Sequence, residues 1–292
     1  MPTFNTPEPI SVTLELGIAH VRIVAADRPD TVVEVRPSDP AKKSDVSAAE
    51  HTRVEYADGK LSVKAPRGWK LHSFRSGGES IDVQIDVPAG SHLRGDSGIG
   101  TLRASGLLGE CSFGIGAGDI EIDRAERVHL KTGVGHVTVG RAGGHTVVTT
   151  GTGGVRIDGV DGTAVVKNSN GDTWIGEVTG DLRVASANGS IAVDRSPATV
   201  AAKTARGDIR LGEVARGDVR AETAYGQVEV GIRQGVAAWL DLDTRFGKVH
   251  NDLDAADSPA PGEDTVEIRA RTSFGDITIR RARARDVSRA EA

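Results

Sequence analysis

The chain has little cysteine and few aromatics, and no long apolar run or concentration of one charge. Cysteine occurs once, at Cys111, which excludes an intramolecular disulfide and fits a reducing compartment. Phe, Tyr and Trp together make up 3% of the residues. A wide core normally recruits aromatic side chains, so their scarcity beside many Val, Ile, Leu, Ala and Thr points to a narrow core. That argues against a sandwich or a wide barrel. No run approaches the ~20 apolar residues of a membrane-spanning helix. The N-terminal Met-Pro-Thr-Phe-Asn-Thr-Pro-Glu-Pro-Ile has neither a basic nor an apolar signal region. A soluble cytoplasmic protein with no integral membrane segment is therefore expected, with secretion by an unrecognised route left open. Basic and acidic residues number 36 and 41, for a net charge of −5, and they are intermixed. No basic stripe appears, so no nucleic-acid partner is expected.

Glycine, by contrast, is abundant and periodic. Gly100, Gly118, Gly135, Gly153, Gly171, Gly189, Gly207, Gly226, Gly247 and Gly275 are separated by 18, 17, 18, 18, 18, 18, 19, 21 and 28 residues. A fixed period of this size is the signature of stacked small units. Counting from each glycine, positions +2 and +4 are aliphatic, as in Ile120 and Ile122 or Ile209 and Leu211, with a polar residue between them. Positions −7 and −5 repeat the pattern, as in Leu182 and Val184 or Val219 and Ala221. Alternation of period two is a half-buried strand, so each repeat carries two strands around a glycine corner.

Position −3 continues the inward series with a change of chemistry. It holds Thr132, Thr150, Asn168, Ser186, Thr204, Thr223, Thr244 and Thr272, preceded by Ser97 and by the exception, Ile115. These side chains are expected to form an internal polar ladder. They would either bond to one another up the stack or cap exposed backbone at the corner. An ice-binding array also needs spaced threonines, but on a flat outer face, and the parity here points inward. Hexapeptide repeats fail because the +4 to −7 interval is seven residues. The fold expected is an all-β parallel solenoid of about ten 18-residue coils, right-handed by the general preference of parallel crossovers, stacking to roughly 45–50 Å.

Residues 1–88 lack the glycine period but read as strands and are expected to form an N-terminal antiparallel β cap. Ala57-Asp58-Gly59-Lys60 has the composition of a hairpin turn. The solenoid is expected over 89–281, with a flexible tail at 282–292. Pro37–Glu50, Pro66–Glu79 and Ala255–Asp264 read as loops. The second of these concentrates Arg67, Trp69, Lys70, His72, Phe74 and Arg75, a set able to stack on a ligand and hold an anion or sugar.

The segment Ile-Asp-Val-Gln-Ile-Asp-Val-Pro-Ala-Gly at 81–90, followed by repeated Ser/Thr-x-x-Gly-Asp-Ile-x-Ile units, resembles a bacterial domain family of unknown function. That family is described as β-strand repeat-containing and labelled "putative adhesin". The resemblance covers residues about 80–280 and implies a parallel β-helix-like fold without known catalytic residues.

Enzymatic signatures are not legible. Asp119, Asp172, Asp208 and Asp276 share position +1, but His136, Gly154, Ser190, Gln227 and Lys248 interrupt the column. Asp after Gly is also a turn-favouring choice. The eight histidines show no zinc spacing, and no nucleophile elbow or phosphate loop stands out. No catalytic residue, metal site or cofactor is expected. The functional expectation is a non-enzymatic scaffold or protein-interaction module, with a protein partner or self-association. A surface adhesin or carbohydrate-binding protein is the alternative, and a carbohydrate-active enzyme a more distant third.

Overall fold

The computed structural model describes residues 1–65, 79–253 and 264–282. The chain forms two compact units, residues 1–162 and 163–292. Unit 1 contains β1 (Thr3–Asn5), β2 (Ser11–Ala26), β3 (Asp30–Pro37), α1 (Lys43–His51), β4 (Arg53–Ala57), β5 (Lys60–Lys64), β6 (Ser80–Pro88), β7 (His92–Ala117), β8 (Ile120–Val134), β9 (Val137–Ala142), β10 (Thr146–Thr152) and β11 (Val155–Val160). Unit 2 contains β12 (Ala164–Asn170), β13 (Thr173–Val178), β14 (Leu182–Asn188), β15 (Ile191–Ser196), β16 (Val200–Arg206), β17 (Ile209–Val214), β18 (Gly217–Tyr225), β19 (Val228–Ile232), β20 (Ala237–Phe246), β21 (Val249–Asn251), β22 (Thr265–Phe274) and β23 (Ile277–Arg281).

Each unit is a parallel β-solenoid. In unit 2, strands one repeat apart pair in parallel and in register, Val184 with Ala202 and Val193 with Leu211. The aliphatic columns fill the interior: Leu182, Val200, Val219 and Ile268 are fully buried. So are the short third-side residues Val160, Val178 and Val214. The interior is narrow because the two strand-lined sides face each other directly, and branched aliphatics fill most of that gap, Phe113 being the one fully buried aromatic among the described residues.

The glycine corners have two causes at once. Gly189 has φ +142, a region closed to L side chains, and a Cβ there would lie 2.1 Å from the carbonyl oxygen of Gly171 in the adjacent coil. Gly207 repeats both constraints against Gly189.

At both ends, coil order departs from chain order. In unit 1, β2 lies between two later segments. It pairs in parallel with β5 and β6 on one edge and with β7 on the other, Val12 meeting Leu93 and Val21 meeting Leu102. The repeat lattice therefore extends into the N-terminal region, and Ala19 stands beside Gly100. The antiparallel pairings of this region are β1 with β3, β3 with β6, and β4 with β5. The last is closed by Asp58 (φ 48) and Gly59 (φ 72), the left-handed pair of a tight hairpin. In unit 2, β22 and β23 lie between β18/β19 and β20/β21, so Gly275 rather than Gly247 stacks on Gly226. The long final glycine interval thus holds a change of direction as well as a loop.

The Pro37–Glu50 stretch, expected as a loop, contains α1. Its buried Asp45 anchors the helix: the carboxylate accepts the Ser80 N–H at 3.2 Å and lies 3.1 Å from Lys42 Nζ. Burial pushes its pKa up, but these donors outweigh burial and hold it below the usual carboxylate value. Composition hid this helix because what docks it is a polar anchor rather than an apolar stripe.

Candidate functional site

Outward-facing side chains in a solenoid form columns, because in-register coils bring equivalent positions side by side about every 4.8 Å. Position +1 is one such column. Asp119 Oδ1 accepts the His136 N–H at 2.7 Å, and His136 Nδ1 accepts the Gly154 N–H at 3.0 Å. Asp172 accepts from Ser190, Ser190 from Asp208, and Asp208 from Gln227, at 2.8, 3.3 and 2.8 Å. Asp276 accepts the Lys248 N–H at 2.8 Å. His136 and Ser190, which appear in sequence to interrupt an aspartate series, are thus acceptor rungs as the aspartates are, each within its own unit. Any side chain with a short-reaching acceptor can serve there. This column stitches successive corners together.

The −3 column turns inward, and its hydroxyls meet backbone rather than one another. Thr132 Oγ1 donates to the Gly118 carbonyl at 3.1 Å, Thr204 to Gly189 at 3.1 Å, and Thr223 to Gly207 at 3.0 Å. Thr272 donates to Gly226 at 3.0 Å and Thr244 to Gly275 at 2.9 Å. Asn168 Nδ2 donates to the Gly171 carbonyl at 2.8 Å. The buried hydroxyls of Thr150 and Ser186 have no hydrogen-bond partner among the described residues. Ile115 occupies its place in the column and is buried.

The aromatic-basic set Arg67, Trp69, Lys70, His72, Phe74 and Arg75 lies outside the described residues. Cys111 sits in the −7 core column beside Val128, and burial pushes its thiol up to about 12. Among the described residues no group of three or more His, Cys, Asp or Glu is placed to hold a metal ion.

A cleft of about 900 Å³ lies on the outer sheet face of unit 1. It runs across β3, β6, β2, β7, β8, β9 and β11. The register lines up one transverse row through it: Glu34, Gln84, Arg22, Arg103, Glu121 and Thr138. Five inter-strand steps make this row about 24 Å long. A second row holds Arg36, Asp82, His20 and Thr101. His20 Nδ1 and Thr101 Oγ1 are 3.1 Å apart. Arg36 is paired with Glu34, and Arg103 Nε lies 3.4 Å from Glu121. The exposed Arg22, central in the first row, makes no ion pair among the described residues. None of the lining side chains is Phe, Tyr or Trp.

These rows escape a reading of the chain alone. The central strands of the cleft, β2 and β7, meet across 81 residues of sequence, as in His20 with Thr101. The signal present was the polar +3 position of β8 and β9, with Glu121 and Thr138. The neighbouring Arg22 could not be assigned to that column without knowing that β2 is a coil.

The solved structures to which the chain is similar are distant. A protein from Bacteroides fragilis described as a "putative adhesin" is 13% identical, with a TM-score of 0.35 over 95% of each chain. One from Parabacteroides merdae, described likewise, is 8% identical, with a TM-score of 0.33 over 97% of this chain and 95% of that one. A Parabacteroides distasonis protein described as a "putative lipid binding protein" is 9% identical, with a TM-score of 0.30 over 95% of each. No curated protein matches the chain. The family model for Toastrack DUF4097 matches residues 10–280, and with most of its length so covered the chain belongs to the Toastrack DUF4097 family.

Proposed function

We propose that this protein is a non-catalytic interaction module and that the cleft of unit 1 receives an extended segment of a protein partner. The observation that carries the reading is the charged row from Glu34 to Thr138, with the guanidinium of Arg22, unpaired among the described residues, at its centre. An extended chain laid along this row meets the adjacent cations Arg22 and Arg103 flanked by the acids Glu34 and Glu121. Arg22 offers a free fork of donors to a carboxylate. Steering and specificity in such a site come from charge complementarity more than from apolar burial.

A neutral glycan is a poorer fit, since sugar recognition leans on aromatic platforms and the cleft lining has no Phe, Tyr or Trp. The acids of the +1 column, which would carry a hydrolase reading, are already engaged with backbone N–H groups. The test is affinity capture with the tagged chain in parallel with Arg22→Glu and Arg103→Glu. Because Arg22 and Arg103 are exposed, both variants should fold as wild type does. A protein partner recovered with wild type and lost with both variants supports the proposal. Partners retained by both variants, or glycan recovered instead, overturns it.

A further inference from the structure

The end of unit 2 carries an open strand edge. β20 pairs only with β22, and β21 only with β23, among the described residues. The core columns are uncovered there. Leu240 and Leu242 are half-buried, whereas their neighbours Ile268 and Ala270 are fully buried. Val249 is 44% exposed, and its neighbour Ile277 is fully buried. A free, apolar parallel edge is a ready template for another strand, and proteins either cover such edges or use them. The sequence flanking this end offers little apolar cover: residues 254–263 and 283–292 contain one large aliphatic, Val287.

We propose that this edge pairs with the same edge of a second copy of the chain, antiparallel about a two-fold axis through Thr244. The charges of β20 select this register. Asp243 and Arg245 are both exposed, and neither makes an ion pair among the described residues. They flank Thr244 on the outward face. In an antiparallel pair centred on Thr244, each Asp243 lies opposite the partner's Arg245, so the strand is complementary to its own reverse. A shift of one residue in the centre, to Asp243, sets like carboxylates against each other. Leu242 then lies opposite the partner's Phe246, and dimerisation covers the open end of the core. A two-fold contact of this kind closes on itself and stops at the dimer.

The test is sedimentation of the full chain from about 1 to 100 µM, with Asp243→Arg and Arg245→Asp as single variants. Wild type is expected to be dimeric. Each single variant sets like charges opposite each other across the axis and should weaken association at least about tenfold. Mixing the two variants restores the complement and should yield heterodimers, which distinguishes a lost pairing from a folding defect. A monomeric wild type at the highest concentration overturns the proposal. So does a dimer that both single variants leave unchanged, or a mixture that stays monomeric.

Discussion

Thr132→Val and Thr150→Val are the same substitution, in the same column of the same unit, yet they should change stability in opposite directions. Both side chains are 1% exposed, so solvent cannot satisfy either hydroxyl. Thr132 donates to the Gly118 carbonyl at 3.1 Å. Valine there removes a neutral hydrogen bond, with a net worth of about 0.5–1.5 kcal/mol, and strips a buried carbonyl of a donor. A loss of about 1–2 kcal/mol follows. Thr150 Oγ1 has no partner among the described residues. Its folded state already bears the desolvation of a bare hydroxyl, about 1–3 kcal/mol by protein mutational scales. Valine fills the same volume with a methyl, so a gain of about 1–2 kcal/mol is expected. The assay is urea unfolding of both variants beside wild type, comparing midpoints at equal slope. Equal losses would refute the reasoning, because they would mean that the column stabilises through packing and not through donation to the corners.

Gly189→Ala should cost more than about 3 kcal/mol, since it combines a φ of +142 with a Cβ 2.1 Å from a backbone oxygen; a denaturant midpoint near wild type would contradict the corner geometry. The Cys111 thiol ionises near 9.0 when exposed and at about 12 when folded, so between these values the unfolded state loses a proton that the folded state keeps. Stability should therefore fall as pH rises through that window, by about 1.4 kcal/mol per unit, and the fall should be absent in Cys111→Ala. The same burial predicts that an alkylating reagent labels Cys111 only after unfolding.

The glycine period made the coil legible because most of its corners, such as Gly118, Gly189 and Gly275, hold a positive φ that L side chains avoid. The aliphatic columns followed from strand parity, and Val128, Leu130, Ile209 and Leu211 are buried as the alternation implies. What escaped was everything set by pairing across long sequence separations. The period cannot show that Gly275 stacks on Gly226 ahead of Gly247, since both carry the same motif. Ala19 hid a coil because it stands where later coils place glycine. The +1 column looked interrupted because sequence comparison sorts Asp, His and Ser apart, whereas the corner requires only an acceptor of short reach. The cleft was illegible for the same reason as the N-terminal coil, since its central row crosses from Arg22 to Arg103.

The inverted order at both ends governs how the chain can assemble during synthesis. β2 leaves the ribosome early, but its coil neighbours β5, β6 and β7 all come much later, Val12 awaiting Leu61 and Val21 awaiting Val83 and Leu102. β20 and β21 emerge before β22 and β23, the only strands on which they rest among those described. Neither end can close in the order of translation. The middle coils, where each strand meets the repeat just made, can form progressively, and the ends wait for distant sequence at a cost in loop closure. A nascent chain halted before residue 264 would thus lack two ordered coils, not one. Protease protection of residues 237–251 would appear only once the last strands had been released.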